Sequence, residues 1–179
     1  MKLLRTIRLD PSDTFVFEHA AEPGEWAVSG SFAFWDVKPE QLAGKARASF
    51  RGGFLGIDTL GWSTLVQIVE ASEEDRRAAT EMLAQKLVER FGAPDVATAR
   101  AAAEEEIAFA ASLCNHPKDT LIAVHRAHED GAIREAFRTL RPKGGPKPLR
   151  AFSFLEVEGE DDQPGDRVDL VTLAQGERK

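Results

Sequence analysis

The stretch "STLVQIVEASEEDRRAATEMLAQKLVERFG", residues 63 to 92, runs a β-branched apolar segment straight into a helix start, and this junction narrows the choice of fold most. Residues 63 to 71 carry Leu65, Val66, Ile68 and Val69, the composition of an inner strand. Ser72 with Asp75 three positions later fits a capping box. Thr80, Leu83, Ala84, Leu87, Val88 and Phe91 then recur at helical spacing until Gly92 ends the segment. Pro94 and Asp95 open a second helix, on which Ala103, Ile107, Ala110, Ala111 and Cys114 share one face. Glu104, Glu105 and Glu106 flank that face, the usual place for solvated charge.

The flanking segments supply more strands. "LLRTIRL" (3 to 9) and "TFVFEHA" (14 to 20) read as strands around the turn "DPSD". "EWAVSGSFAFWD" alternates, with Trp26, Val28, Phe32 and Phe34 on one side and Ala27, Ser29, Ser31 and Ala33 on the other. "PEQLAGKARASF" has weak helical spacing before a glycine-rich bend. "DTLIAVHRAH" (119 to 128) predicts a strand, and Ile133, Ala136, Phe137 and Leu140 predict a short third helix after a turn at Asp130 and Gly131. Beyond the linker "RPKGGPKP" come a strand in "LRAFSFLEVEG", the acidic loop "EGEDDQPGD", and a final strand or extended tail in "RVDLVTL". This order favours an α+β two-layer sandwich, a largely antiparallel sheet with helices on one face. Residues 1–157 form one domain in this reading, with 158–179 an acidic loop and tail.

Charge and cysteine use exclude several classes of partner. With 23 basic and 30 acidic side chains the formal charge is -7, which repels polyphosphate unless basic residues segregate, and the sequence shows no basic cluster free of acidic neighbours. The aromatic strand residues lie beside Ala and Ser rather than Lys and Arg, so no nucleic-acid partner is expected. No apolar run approaches the roughly 18 residues of a membrane span. The lone Cys114 has no disulfide partner and no apolar leader is visible, which points to the cytoplasm.

Two segments bear groups with chemical potential. In "RGGFLG", Gly52 and Gly53 permit backbone N–H groups to converge on an anion, and Arg51 adds a bidentate cation. The plainer reading is a tight bend beside an exposed arginine, since the Lys and Ser/Thr of a P-loop are missing. Asp58 and His125 are the candidate acid/base residues for an anionic substrate. The second segment gathers Cys114, His116, Asp119, His125 and His128, all of them metal-ligand types. A strand over 119–128 sends His125 and His128 to opposite faces, so neither a metal nor another cofactor is expected. No G-x-S-x-G elbow is present.

"RASFRGGFLGIDTLG" resembles the glycine-rich stretch of lipoate and biotin protein ligases. Arg47, Ser49, Gly52, Gly53, Asp58 and Gly61 would then line an adenylate-binding site. The chain departs from that pattern where the third consecutive glycine is missing, where Ile57 replaces a His, and where Trp62 replaces an Asn. At larger scale, "MKLLRTIRLDPSDTFVFEHAAEPGEWAVSGSFAFWD" and "GFLGIDTLGWSTLVQIVEAS" resemble a family of uncharacterised bacterial proteins with no established activity. That resemblance implies a bacterial cytosolic protein and carries over no catalytic residues. The leading expectation is a non-catalytic accessory or assembly protein for an enzyme partner, or a homo-oligomer. The alternative is a ligand-binding protein or enzyme acting on an anionic small molecule at Arg51.

Overall fold

The computed structural model describes residues 1–142 and 155–158. The chain is α+β. Its strands are β1 (Lys2–Ile7), β2 (Trp26–Val28), β3 (Phe54–Gly56), β4 (Trp62–Ser63), β5 (Leu65–Glu70), β6 (Leu121–Glu129), β7 (Ala132–Pro142) and β8 (Leu155–Glu158). They form one sheet in the order β4-β3-β2-β1-β5-β6-β7-β8, with every neighbouring pair antiparallel. The helices are α1 (Ser12–Val16), α2 (Gly44–Gly52), α3 (Glu73–Arg90) and α4 (Val96–Ser112).

The core lies where α3 and α4 pack together and α4 crosses β1 and β2. Leu83, Ala84 and Leu87 from α3 meet Ala99, Ala103, Ile107 and Ala110 from α4 above Leu3, Leu4, Val66 and Ile68 of the sheet. Alanine dominates the inner face of α4, which lets the two helices approach closely. The predicted capping box forms: Ser72 Oγ accepts from Asp75 N at 3.0 Å, and Asp75 Oδ2 accepts from Ser72 N at 2.8 Å. Asp95 caps α4 by accepting from Thr98 N at 2.7 Å. No described helix is long and apolar enough to cross a membrane.

Three segments depart from the sequence expectation, each for a local reason. Residues 12–16 are helical rather than extended, because Asp13 turns inward and accepts from the backbone and side chain of Thr64 at 3.1 and 2.5 Å. The alternating run from Trp26 stops at Val28. Gly30 follows with φ +81° and throws the chain into a 3-10 turn over Ser31–Phe34, so the later alternation never joins the sheet. The expected third helix is the strand β7. Asp130 and Gly131 both take positive φ, the signature of a two-residue hairpin turn, and β6 pairs with β7 from Leu121↔Leu140 to Glu129↔Ala132. The expected strand in residues 149–159 survives in the described β8, whereas residues 167–173 lie outside the described part.

Glycines in the stretch 52–61 serve close backbone packing. At Gly61 a Cβ would lie 2.5 Å from Ala20 C and Ala21 N, because residues 19–21 run against Trp62 through an isolated bridge. At Gly52, by contrast, the nearest obstacle is Val124 O at 3.8 Å and the backbone is helical. Gly61→Ala is therefore expected to cost about 1–3 kcal/mol. Gly52→Ala is expected to be neutral or to stabilise by up to about 1 kcal/mol, both read from urea denaturation midpoints.

Candidate functional site

β6 pairs with β5 only over Leu121–Ala123, but with β7 over its whole length. From Val124 onward α2 packs against it instead of another strand. The C-terminal carbonyls of a helix lack intrahelical partners, and a cation placed there also meets the negative end of the helix dipole. Arg126 fills that role. Its Nη1 donates to Phe50 O at 2.8 Å, and its Nη2 donates to Gly53 O at 3.1 Å and Ser29 O at 2.8 Å. Nε donates to Glu135 Oε2 at 3.1 Å, and Ser29 Oγ donates to the same carboxylate. The residue is only 1% exposed. Burial pulls the guanidinium pKa down, while Glu135 and Glu106 oppose that loss of charge.

A second carboxylate belongs to this group. Glu106, half-buried on α4, is pushed up to about 7, by burial first, then by the charges of Glu135 and Glu105, with Arg126 pulling the other way. This corrects the expectation that all three glutamates of that run are ordinary solvated charge.

Beside Arg126, α2 and β6 enclose a cleft of about 230 Å³. Arg47 and Arg51 reach it from successive turns of α2, and His125 and His128 reach it from β6. Neither Arg47 nor Arg51 has a side-chain hydrogen bond or ion pair among the described residues. The apolar wall of the cleft is made by Pro39, Leu42, Phe50 and Ala127, and no carboxylate among the described residues lines it. The His128 ring stacks on Phe50 with centroids 4.8 Å apart and planes 16° apart. Two histidines three positions apart on a strand share this cleft because it borders the strand's edge, which side chains from both faces reach.

The structure thus brings Arg51 and His125 together, with Arg47 and His128 beside them, and leaves the other predicted residues elsewhere. Gly52 closes α2, and Gly53 is its buried C-cap, with an N–H that bonds Ser49 O at 3.0 Å; neither lines the cleft. Asp58 is exposed in the turn between β3 and β4. Cys114 is buried, donates its thiol to Ala110 O at 3.4 Å, and is raised to about 11 by burial. Asp119 accepts from Gln67 Nε2 at 3.0 Å, and the His116 carbonyl accepts from Lys2 Nζ at 2.6 Å. No group of three or more His, Cys, Asp or Glu among the described residues could hold a metal ion. Sequence reasoning missed Arg126 and Glu135, although a signal existed. Ile122, Val124 and Arg126 occupy alternate strand positions, so a charge falls in line with core residues.

A model for a family of unknown function, DUF6505, matches residues 1–153. The chain belongs to the DUF6505 family. The match to the family spans α2, β6 and β7, and so every element that builds the cleft and its buried arginine. No curated protein and no solved structure matches the chain. The likeness of the opening 36 residues to a family without established activity is therefore upheld by DUF6505.

Two outcomes follow from these charges. Arg126→Met leaves the carbonyls without their donor and Glu135 without its counterion, and is expected to cost about 3–5 kcal/mol in chemical denaturation. For Glu106 the folded value lies above the ordinary 4.5, so across the window from 4.5 to about 7 the folded chain holds a proton that the unfolded chain has released. Its contribution to stability is therefore lost as pH rises through that window. Glu106→Gln should be more stable than the parent above pH 7 by about 1–3 kcal/mol, an advantage that fades toward the ordinary carboxyl range. A difference that does not change with pH would exclude the raised carboxyl.

Proposed function

We propose that the protein binds a small anionic molecule in the cleft between α2 and β6. The observation that carries this reading is the convergence of Arg47, Arg51, His125 and His128 on one cavity with no opposing carboxylate among the described residues, in a chain whose formal charge is -7. Clustered like charges repel one another, and a bound anion relieves that repulsion. Guanidiniums suit phosphate and carboxylate oxygens because their planar donors match them bidentately. If the site is catalytic, His125 is the acid/base group, since Asp58 does not line the cavity.

A second reading, the accessory or assembly role in a bacterial cytosolic setting, draws on two aromatic side chains left in solvent. Phe15 is 73% exposed and Trp35 71% exposed, and contact with a protein partner or a second copy would cover them. Accessory and ligand-binding roles are compatible on one chain.

Calorimetric titration with a panel of phosphates and carboxylates tests the site. Arg47→Ala and Arg51→Ala are each expected to weaken binding about tenfold or more and to leave the denaturation midpoint unchanged, because both side chains are exposed. Unaltered affinity for every anion in Arg51→Ala would remove the reading.

A further inference from the structure

The lining of the cleft limits its occupant further than charge alone, and the inference rests on the anion-binding reading above. Arg47 and Arg51 are exposed, whereas Phe50 is buried and Leu42 and Ala127 are half-buried. The free charge therefore sits at the rim, and the surface behind it is largely apolar, shared with the half-buried rings of His125 and His128. Arg126 adds no available donor there, because its N–H groups are directed to Glu135 and to the carbonyls of Ser29, Phe50 and Gly53. An inorganic anion would satisfy the rim and leave the half-buried Leu42 facing water. The cavity, about 230 Å³, is smaller than the roughly 300–1,000 Å³ typical of drug-sized ligands.

We infer that the cleft takes a compact organic dianion, its phosphate or paired carboxylates held by Arg47 and Arg51 and a single-ring or short-chain apolar body seated against Leu42 and Phe50. Two guanidiniums on successive turns lie on one helix face and are suited to a head group with two negative charges. The apolar wall is short, so the base of a mononucleotide such as an adenylate would extend past it and add little affinity.

Titration calorimetry on the full chain distinguishes these ligands, with inorganic phosphate, phenyl phosphate, phthalate, benzoate and AMP as the probes. Phenyl phosphate is expected to bind about tenfold or more tightly than inorganic phosphate, because burying a ring adds a hydrophobic contribution. Phthalate should likewise exceed benzoate, and AMP should bind no better than inorganic phosphate. The gain from the ring should persist at about 0.5 M salt, where the charge contribution is screened. Leu42→Ser should erase the gain and leave the affinity for inorganic phosphate unchanged. Equal binding of phenyl phosphate and inorganic phosphate, or a ring advantage that survives Leu42→Ser, would overturn the ligand class while the anion site stands. Failure of every probe to bind would overturn both.

Discussion

One buried guanidinium holds together parts of the fold that the sheet alone would keep apart. β2 and β6 are separated in the sheet by β1 and β5, three ladder steps, or about 14 Å if the sheet were flat. Arg126 on β6 nevertheless donates to the carbonyl of Ser29, the residue after β2, at 2.8 Å. The sheet must curl for that contact, and α2 is caught inside the curl with its last carbonyls turned to the same side chain. A buried charge of this kind is tolerated only when its donors find acceptors and its charge a counterion. Glu135 supplies the counterion from the facing position of the hairpin, where it pairs directly with Arg126 in the ladder.

The same arrangement explains the glycine-rich stretch that looked like an anion cradle. Gly53 gives its N–H to Ser49 and its carbonyl to Arg126, so it belongs to the end of a helix. Gly56 makes room for Glu25, whose carboxylate accepts from Glu22 N and Thr59 N and ties down the turn that contains Asp58. The glycines thus shape the support, and the charged face is carried by the side chains of α2. The support of the fold and the charged wall of the cleft come from neighbouring residues on one short helix.

The parts of the molecule governed by local rules were legible in the sequence. The capping box at Ser72, the Asp95 cap, the inner strand at Leu65 and the Asp130–Gly131 turn each follow from a few adjacent residues. β7 was misread because Ile133, Ala136, Phe137 and Leu140 match a helical period, and the hairpin turn before them dictated pairing instead. The cleft was only half legible. Arg51 and His125 were both recognisable as chemical groups, but their meeting depends on β5 ending its pairing at Ala123 and on α2 taking the vacated side of β6. That is a tertiary outcome with no local signature. Asp58 matched the ligase-like pattern, but the turn between β3 and β4 carries it away from the cleft.

Cys114 gives the molecule a clock. It is the only thiol in the chain, lies just beyond α4 with 4% of its surface exposed, and its raised pKa leaves little thiolate near neutrality. An alkylating reagent can reach it rapidly only when the end of α4 detaches from the sheet. The half-life of that thiol toward a reagent in excess is then a measure of how often this layer of the protein opens, obtained on the unmodified sequence without any added label.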